Sequence, residues 1–115
     1  MGRSRIAVQS QADETAAPTL EDLRARRQEL LQIARQHGAE NVRVFGSVAR
    51  GDANGQSDVD FLVDISADAN GFAYFGLLDD LRRALGQALH RPVDVVDSAA
   101  LSRLRQHVLR EAVPL

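Results

Sequence analysis

The sequence predicts an α/β domain built on one small sheet of about three strands, packed with about four helices. Three observations carry this. Short apolar runs of strand length occur at 42–45, 59–65 and 93–97. Longer segments with apolar residues at helical spacing lie before, between and after them, the clearest at 72–89. Polar clusters rich in Asp, Asn, Gly and Ser separate the runs, so the order reads helix, strand, short helix, strand, helix, strand, helix.

Residues 1–18 are rich in Gln, Ser, Ala and Thr and lack apolar periodicity, so they read as a flexible N-terminal tail ending at Pro18. The domain then occupies 19–115. Thr19 is a candidate N-cap with Asp22 in the first turn. Leu20, Leu23, Leu30, Leu31 and Ala34 continue one helical stripe to about Gln36, and His37-Gly38 ends it. Asn41 to Phe45 forms the first strand. Ser47 to Arg50 fits a short helical turn. Val59 to Ile65 forms a second strand, apolar enough to be buried on both faces in the middle of the sheet.

Beyond a polar connection at 66–71, Phe72, Phe75, Leu78, Leu81, Leu85 and Leu89 mark one face of a long helix. Gly76 and Gly86 weaken it by about 1 kcal/mol each relative to Ala, so burial must hold it. Pro92 stops it. Val93 to Asp97 is a third strand. Ser98 is a candidate N-cap for a last helix from about Ala99 to Ala112, with Leu101, Leu104, Val108 and Ala112 as its stripe.

Composition narrows the chemistry. The chain has 115 residues, enough to bury a core without covalent staples. All 14 basic residues are Arg, which excludes a lysine phosphate loop and Schiff-base catalysis. With no Cys, thiol nucleophiles, disulfides and thiolate metal sites are excluded. The net charge of −2 gives no footprint for nucleic acid. No run approaches the ~18 apolar residues of a membrane span, and no signal-peptide pattern opens the chain. A cytoplasmic protein is the expectation. His37, His90 and His107 read as solvated surface residues.

The chemistry-bearing stretch runs from Phe45 to Asp64. Strand residues alternate faces, so Asp58 and Asp60 project from one side with about 6.5–7 Å between Cα atoms. Carboxylates that close repel unless a cation lies between them. The alternative is a wet edge strand. All-oxygen donors suit Mg²⁺, whereas zinc would call for Cys or suitably spaced His. Upstream, Gly46-Ser47 directly follows a strand, and Arg50 could pair with phosphate in bidentate fashion. Asp64, Asp94 and Asp97 are further acids on the expected strands.

Taken together, Gly46-Ser47-Val48-Ala49-Arg50-Gly51, Ser57-Asp58-Val59-Asp60-Phe61-Leu62-Val63 and Arg91-Pro92-Val93-Asp94-Val95-Val96 resemble the motifs of the minimal nucleotidyltransferases. These are small members of the DNA polymerase beta-like nucleotidyltransferase superfamily. The resemblance implies the nucleotidyltransferase fold with a small mixed sheet. It implies that Asp58, Asp60 and Asp94 hold two Mg²⁺ ions and that Gly46 and Ser47 grip the phosphates of ATP, with Arg50 as a further contact. The implied reaction passes a nucleoside monophosphate, AMP foremost, to a hydroxyl and releases pyrophosphate.

Once these elements are assigned, no residues are left for an acceptor-binding domain, so a partner or a homodimer is expected to complete the site. The resemblance points to a HEPN-domain toxin as partner, with a tyrosine as acceptor and this chain as antitoxin. Two other readings stand beside it. One is a nucleotidyltransferase acting on a small molecule. The other is a module that neutralises its partner by contact alone.

Overall fold

The computed structural model describes residues 16–65 and 71–115. The expected tail at 1–15, the connection at 66–70 and the side chains of Phe72 and Leu104 lie outside the described residues.

Helices α1 (Leu20–Ala25) and α2 (Arg27–Gln36) lead into strand β1 (Ala39–Phe45). A one-turn helix α3 (Gly46–Arg50) and a loop precede β2 (Val59–Ile65). Helix α4 (Gly71–Leu89) leads to β3 (Val93–Asp97), followed by two 3₁₀ turns, helix α5 (His107–Glu111) and a two-residue strand β4 (Val113–Pro114). The sheet order is β3-β2-β1-β4, with β2–β3 parallel and the other two pairs antiparallel. The fold class is the α/β arrangement expected, with four strands rather than three.

Strand alternation sorts the sheet into two unlike faces. Val59, Phe61 and Val63 of β2, Val93 and Val95 of β3, and Val42 and Val44 of β1 meet Leu23, Leu30, Ala34, Leu81 and Leu85 from the helices. Each such aliphatic or aromatic side chain contributes about 1.5–3 kcal/mol when fully buried. The opposite face is covered far more sparingly. There Phe45, Leu62 and Val108 form a small separate cluster, with Val96, Leu101 and Ala112 against it. By the same alternation Asp60 and Asp94 lie on this second face, beyond the edge of that small cluster. β2 is interior in the sheet, as expected, but it is not buried on both faces: on the second face only Leu62 is buried, with Asp60 and Asp64 part-exposed on either side of it.

Three local expectations are corrected. The first helix is broken at Arg26, whose φ and ψ are −109° and 20°. The break lets Arg26 Nη1 donate to the Ala88 carbonyl at 2.7 Å, satisfying a carbonyl at the end of α4. Thr19 does cap α1, accepting from Asp22 N at 3.0 Å.

The single helix expected over 99–112 is instead two 3₁₀ turns (Ser98–Ala100 and Arg103–Arg105) and the short α5. Leu101, Val108 and Ala112 do dock on the sheet. α5 ends at Glu111, Ala112 is already extended, and Val113 pairs with β1. Nor does Ser98 cap. The Asp97 carboxylate accepts from Ala99 N at 3.1 Å, while the Ser98 hydroxyl donates to Asp64.

Among the described residues, no helix is long and apolar enough to cross a membrane.

Candidate active site

Asp60 is the centre of the site. It stands in register with Asp94 on the parallel strand β3 and with Phe45 on β1. Neighbouring strands lie about 4.8 Å apart, so the Asp60 and Asp94 carboxyls leave the same face side by side. Asp58 sits one residue before β2 begins, in the loop rather than the strand, and is exposed. Burial, then Asp94, then Asp58 push the Asp60 carboxyl up to about 6, against an opposing pull from Arg105 and Arg50.

Gly46 closes the site from the β1 side. Its φ of +76° is a left-handed conformation that favours glycine. The space matters as much as the dihedral: a Cβ built on Gly46 would overlap Asp60 Oδ2 and come within 3.2 Å of Asp60 Cγ. The α3 turn therefore seats its first residue directly on the central carboxylate. Ser47 follows it in α3, and Gly51, at φ +82°, terminates the turn. Arg50 is tied by Nε to Asp52 at 3.2 Å and by Nη1 to Glu111 at 2.9 Å.

The loop carrying Asp58 is held from several sides. Asn54 N donates to Ser57 Oγ, and Gln56 N to Asn54 Oδ1, each at 2.8 Å. Val59 N donates to the Pro92 carbonyl at 3.1 Å. Arg91 Nη1 reaches the Gly55 carbonyl at 2.9 Å and the Ser57 carbonyl at 3.3 Å, and its Nη2 reaches the Ala16 carbonyl at 2.9 Å. Arg91 thus straps the segment before β3 to the loop before β2.

The other candidate acids are engaged elsewhere. Asp64 accepts from Arg43 Nη2 at 2.6 Å, from Asn41 Nδ2 at 2.9 Å and from Ser98. The Ser98 hydroxyl, with Asn41 and Arg43, holds its carboxyl below the usual carboxylate range. Asp97 is buried on the helix-covered face and accepts from the Tyr74 hydroxyl at 2.6 Å. Asp94 is the one of the three that lies beside Asp60. It accepts a bond from the neighbouring Val95 N at 3.0 Å.

Arg91 and Glu111 are the residues that sequence reasoning missed. Glu111 Oε1 accepts from Gly46 N at 2.6 Å as well as from Arg50. These contacts span 34 to 75 residues of chain, and no local spacing announces them. Arg105, in the second 3₁₀ turn, contributes positive potential at Asp60.

Crowded, half-buried carboxyls with only oxygen donors suit a hard cation such as Mg²⁺. Among the described residues, no group of three or more His, Asp or Glu is arranged as a metal cage.

A small sheet with paired acids on its sparsely covered face, beneath a Gly-Ser turn, defines a nucleotide-transfer fold. Residues 27–113 match the nucleotidyltransferase domain family, and the chain belongs to it. A solved minimal nucleotidyltransferase is 45% identical, with a TM-score of 0.68 over 85% of this chain and 97% of that one. A chain from a toxin–antitoxin complex with AMP-PNP is 24% identical, with a TM-score of 0.62 over 76% of this chain and 69% of that one. A third comes from the complex of a tri-AMPylated Shewanella oneidensis HEPN toxin with an MNT antitoxin. It is 21% identical, with a TM-score of 0.53 over 79% of this chain and 69% of that one. The last two likenesses are of fold. No curated protein matches the chain. The protein is a nucleotidyltransferase by family and fold.

Proposed function

We propose that this nucleotidyltransferase transfers AMP from ATP to a tyrosine hydroxyl of a HEPN-domain toxin, and so acts as its antitoxin. The observation that supports the chemistry is the register of Asp60 and Asp94 on adjacent strands, with Gly46 packed against the Asp60 carboxylate. The partner and acceptor are suggested by two structural neighbours, one a toxin–antitoxin complex with AMP-PNP and the other an AMPylated HEPN toxin with its MNT antitoxin.

Asp58, Asp60 and Asp94 would hold two Mg²⁺ ions, which when bound offset the charge of the triphosphate and lower the pKa of the acceptor hydroxyl. Gly46 N–H, the Ser47 hydroxyl and the Arg50 guanidinium orient the phosphates by donating hydrogen bonds. The acceptor oxygen forms a bond to the α-phosphorus, the bond from that phosphorus to the bridging oxygen breaks, and pyrophosphate leaves. Asp94, on β3, helps to draw away the hydroxyl proton. No covalent bond to the chain is required.

The test is intact-mass measurement of a HEPN-domain partner incubated with this protein, ATP and Mg²⁺. The expected outcome is a partner heavier by one AMP for each tyrosine modified, and no such gain with Asp58→Asn plus Asp60→Asn. Neutralisation of the partner by that double variant, with no mass change under any condition, would overturn the reading in favour of contact alone.

A further inference from the structure

One carboxylate stands where the proposed function puts a phosphate. Glu111 Oε1 accepts from the Gly46 main-chain N–H at 2.6 Å and from Arg50 Nη1 at 2.9 Å. A single anionic oxygen bridging a main-chain N–H and a guanidinium is also how a phosphate oxygen would be held. The contact does not serve the core: the Arg50 side chain is half exposed, and that of Glu111 retains 23% of its accessible surface.

The placement of Glu111 is fixed from both sides. Val108, one turn earlier, is buried against Phe45 and Leu62. Immediately after it, β4 pairs with β1, and Leu115 N donates to the Val42 carbonyl at 3.1 Å. The backbone of α5 is therefore anchored, and the carboxylate leaves only by rotating its own side chain. Arg50 keeps its second tie, to Asp52, when that happens. Its Nη1 is then free for a new acceptor without the guanidinium losing its place.

We propose that Glu111 is an internal competitor for the phosphate grip and sets the affinity for the nucleoside triphosphate. Two anions cannot share the Gly46 N–H and Arg50, because like charges at one pair of donors repel. The triphosphate takes these donors only as Glu111 gives them up, and the cost of that exchange is subtracted from binding. The inference rests on the reading of Gly46 and Arg50 as phosphate contacts.

Calorimetric titration of the full chain with Mg-ATP tests it, using wild type, Glu111→Gln, Glu111→Asp and Asp52→Asn. Loss of a charge-assisted contact corresponds to a change of about tenfold in affinity, so Glu111→Gln should bind Mg-ATP about tenfold more tightly. Glu111→Asp keeps the charge but is one methylene too short to bridge both donors, and it should also tighten binding. Asp52→Asn removes an equal charge from Arg50 without freeing Gly46, and it should not reproduce the gain. In nitrogen–proton correlation spectra the Gly46 amide should move in Glu111→Gln and again on adding ATP.

Unchanged or weaker binding by a folded Glu111→Gln or Glu111→Asp overturns the proposal and leaves Glu111 as a prop for the turn. A gain of the same size in Asp52→Asn overturns it as well, since charge alone would then account for the effect. Failure of the underlying reading looks different: neither wild type nor any variant binds Mg-ATP, and the inference falls with it.

Discussion

Asp60, proposed as a metal-binding carboxylate, carries a charge that works against the fold. Its carboxyl is raised from 3.8 to about 6, first by burial and then by Asp94 and Asp58. Because the folded state holds this proton more tightly, protonation favours folding. That contribution is complete below 3.8 and is lost as pH rises through about 6. Asp60→Asn removes the charge at every pH. In metal-free protein its melting temperature should exceed that of wild type above about pH 6, and the gap should close as pH falls toward 3.8. Thermal denaturation across that range checks it, and transfer activity should be lost throughout. Gly46 makes the complementary case. Gly46→Ala places an Ala at φ +76° and a methyl against Asp60, at a cost of about 1–3 kcal/mol for the backbone alone. Gly51→Ala meets a similar φ of +82° with nothing within 4 Å. Chemical denaturation should therefore show the larger loss at Gly46, and the difference measures the overlap with the carboxylate.

At the scale of elements, what sequence could reveal depended on how local the cause was. Thr19, the interior place of β2, the span of α4 and the stop at Pro92 follow from residues within a few positions of one another, and each was legible. Gly46, Asp58, Asp60 and Asp94, the residues proposed for the site, fall on or beside the turn and strands expected of them. The break at Arg26 was not legible, because its cause is the Ala88 carbonyl at the far end of another helix. The 99–112 region has helical spacing, yet it folds as two 3₁₀ turns and the short α5, after which Val113 pairs with β1. A two-residue strand has no alternation to detect. The strap at Arg91 is the same kind of long-range fact, and it matters to the site because it holds the peptide preceding Asp58. Arg91→Met removes three bonds to main-chain carbonyls and should lower stability by about 1–2 kcal/mol. Hydrogen exchange should speed up chiefly at 52–58. Arg26→Met, which loses the Ala88 contact instead, should leave exchange in that loop as it is.

For the whole molecule, the decisive asymmetry is between the two faces of the sheet. One face is closed by α2 and α4 over a continuous apolar cluster, and the other, among the described residues, carries Val108 and a few companions from the C-terminal segment. The open remainder of that second face is where Asp60 and Asp94 stand, so the carboxylates are held by a rigid strand pair yet remain reachable. The domain accepts a local electrostatic cost there, and its ligands should offset that cost. Neither ligand does so well alone: a triphosphate without a cation brings more negative charge to the acids, and a cation without phosphates leaves its remaining positions to water. Mg²⁺ and ATP together should therefore raise the melting temperature by more than the sum of their separate shifts. At about 100 times Kd the stabilisation is about 2.7 kcal/mol, which corresponds to roughly 10–20 °C for a domain of this size at about 4–8 °C per kcal/mol. In Asp58→Asn plus Asp60→Asn the synergy should vanish while the ligand-free melting temperature holds or rises. Additive shifts in the wild type would mean that metal and nucleotide bind at separate places, and the open face would not be the site at which they meet.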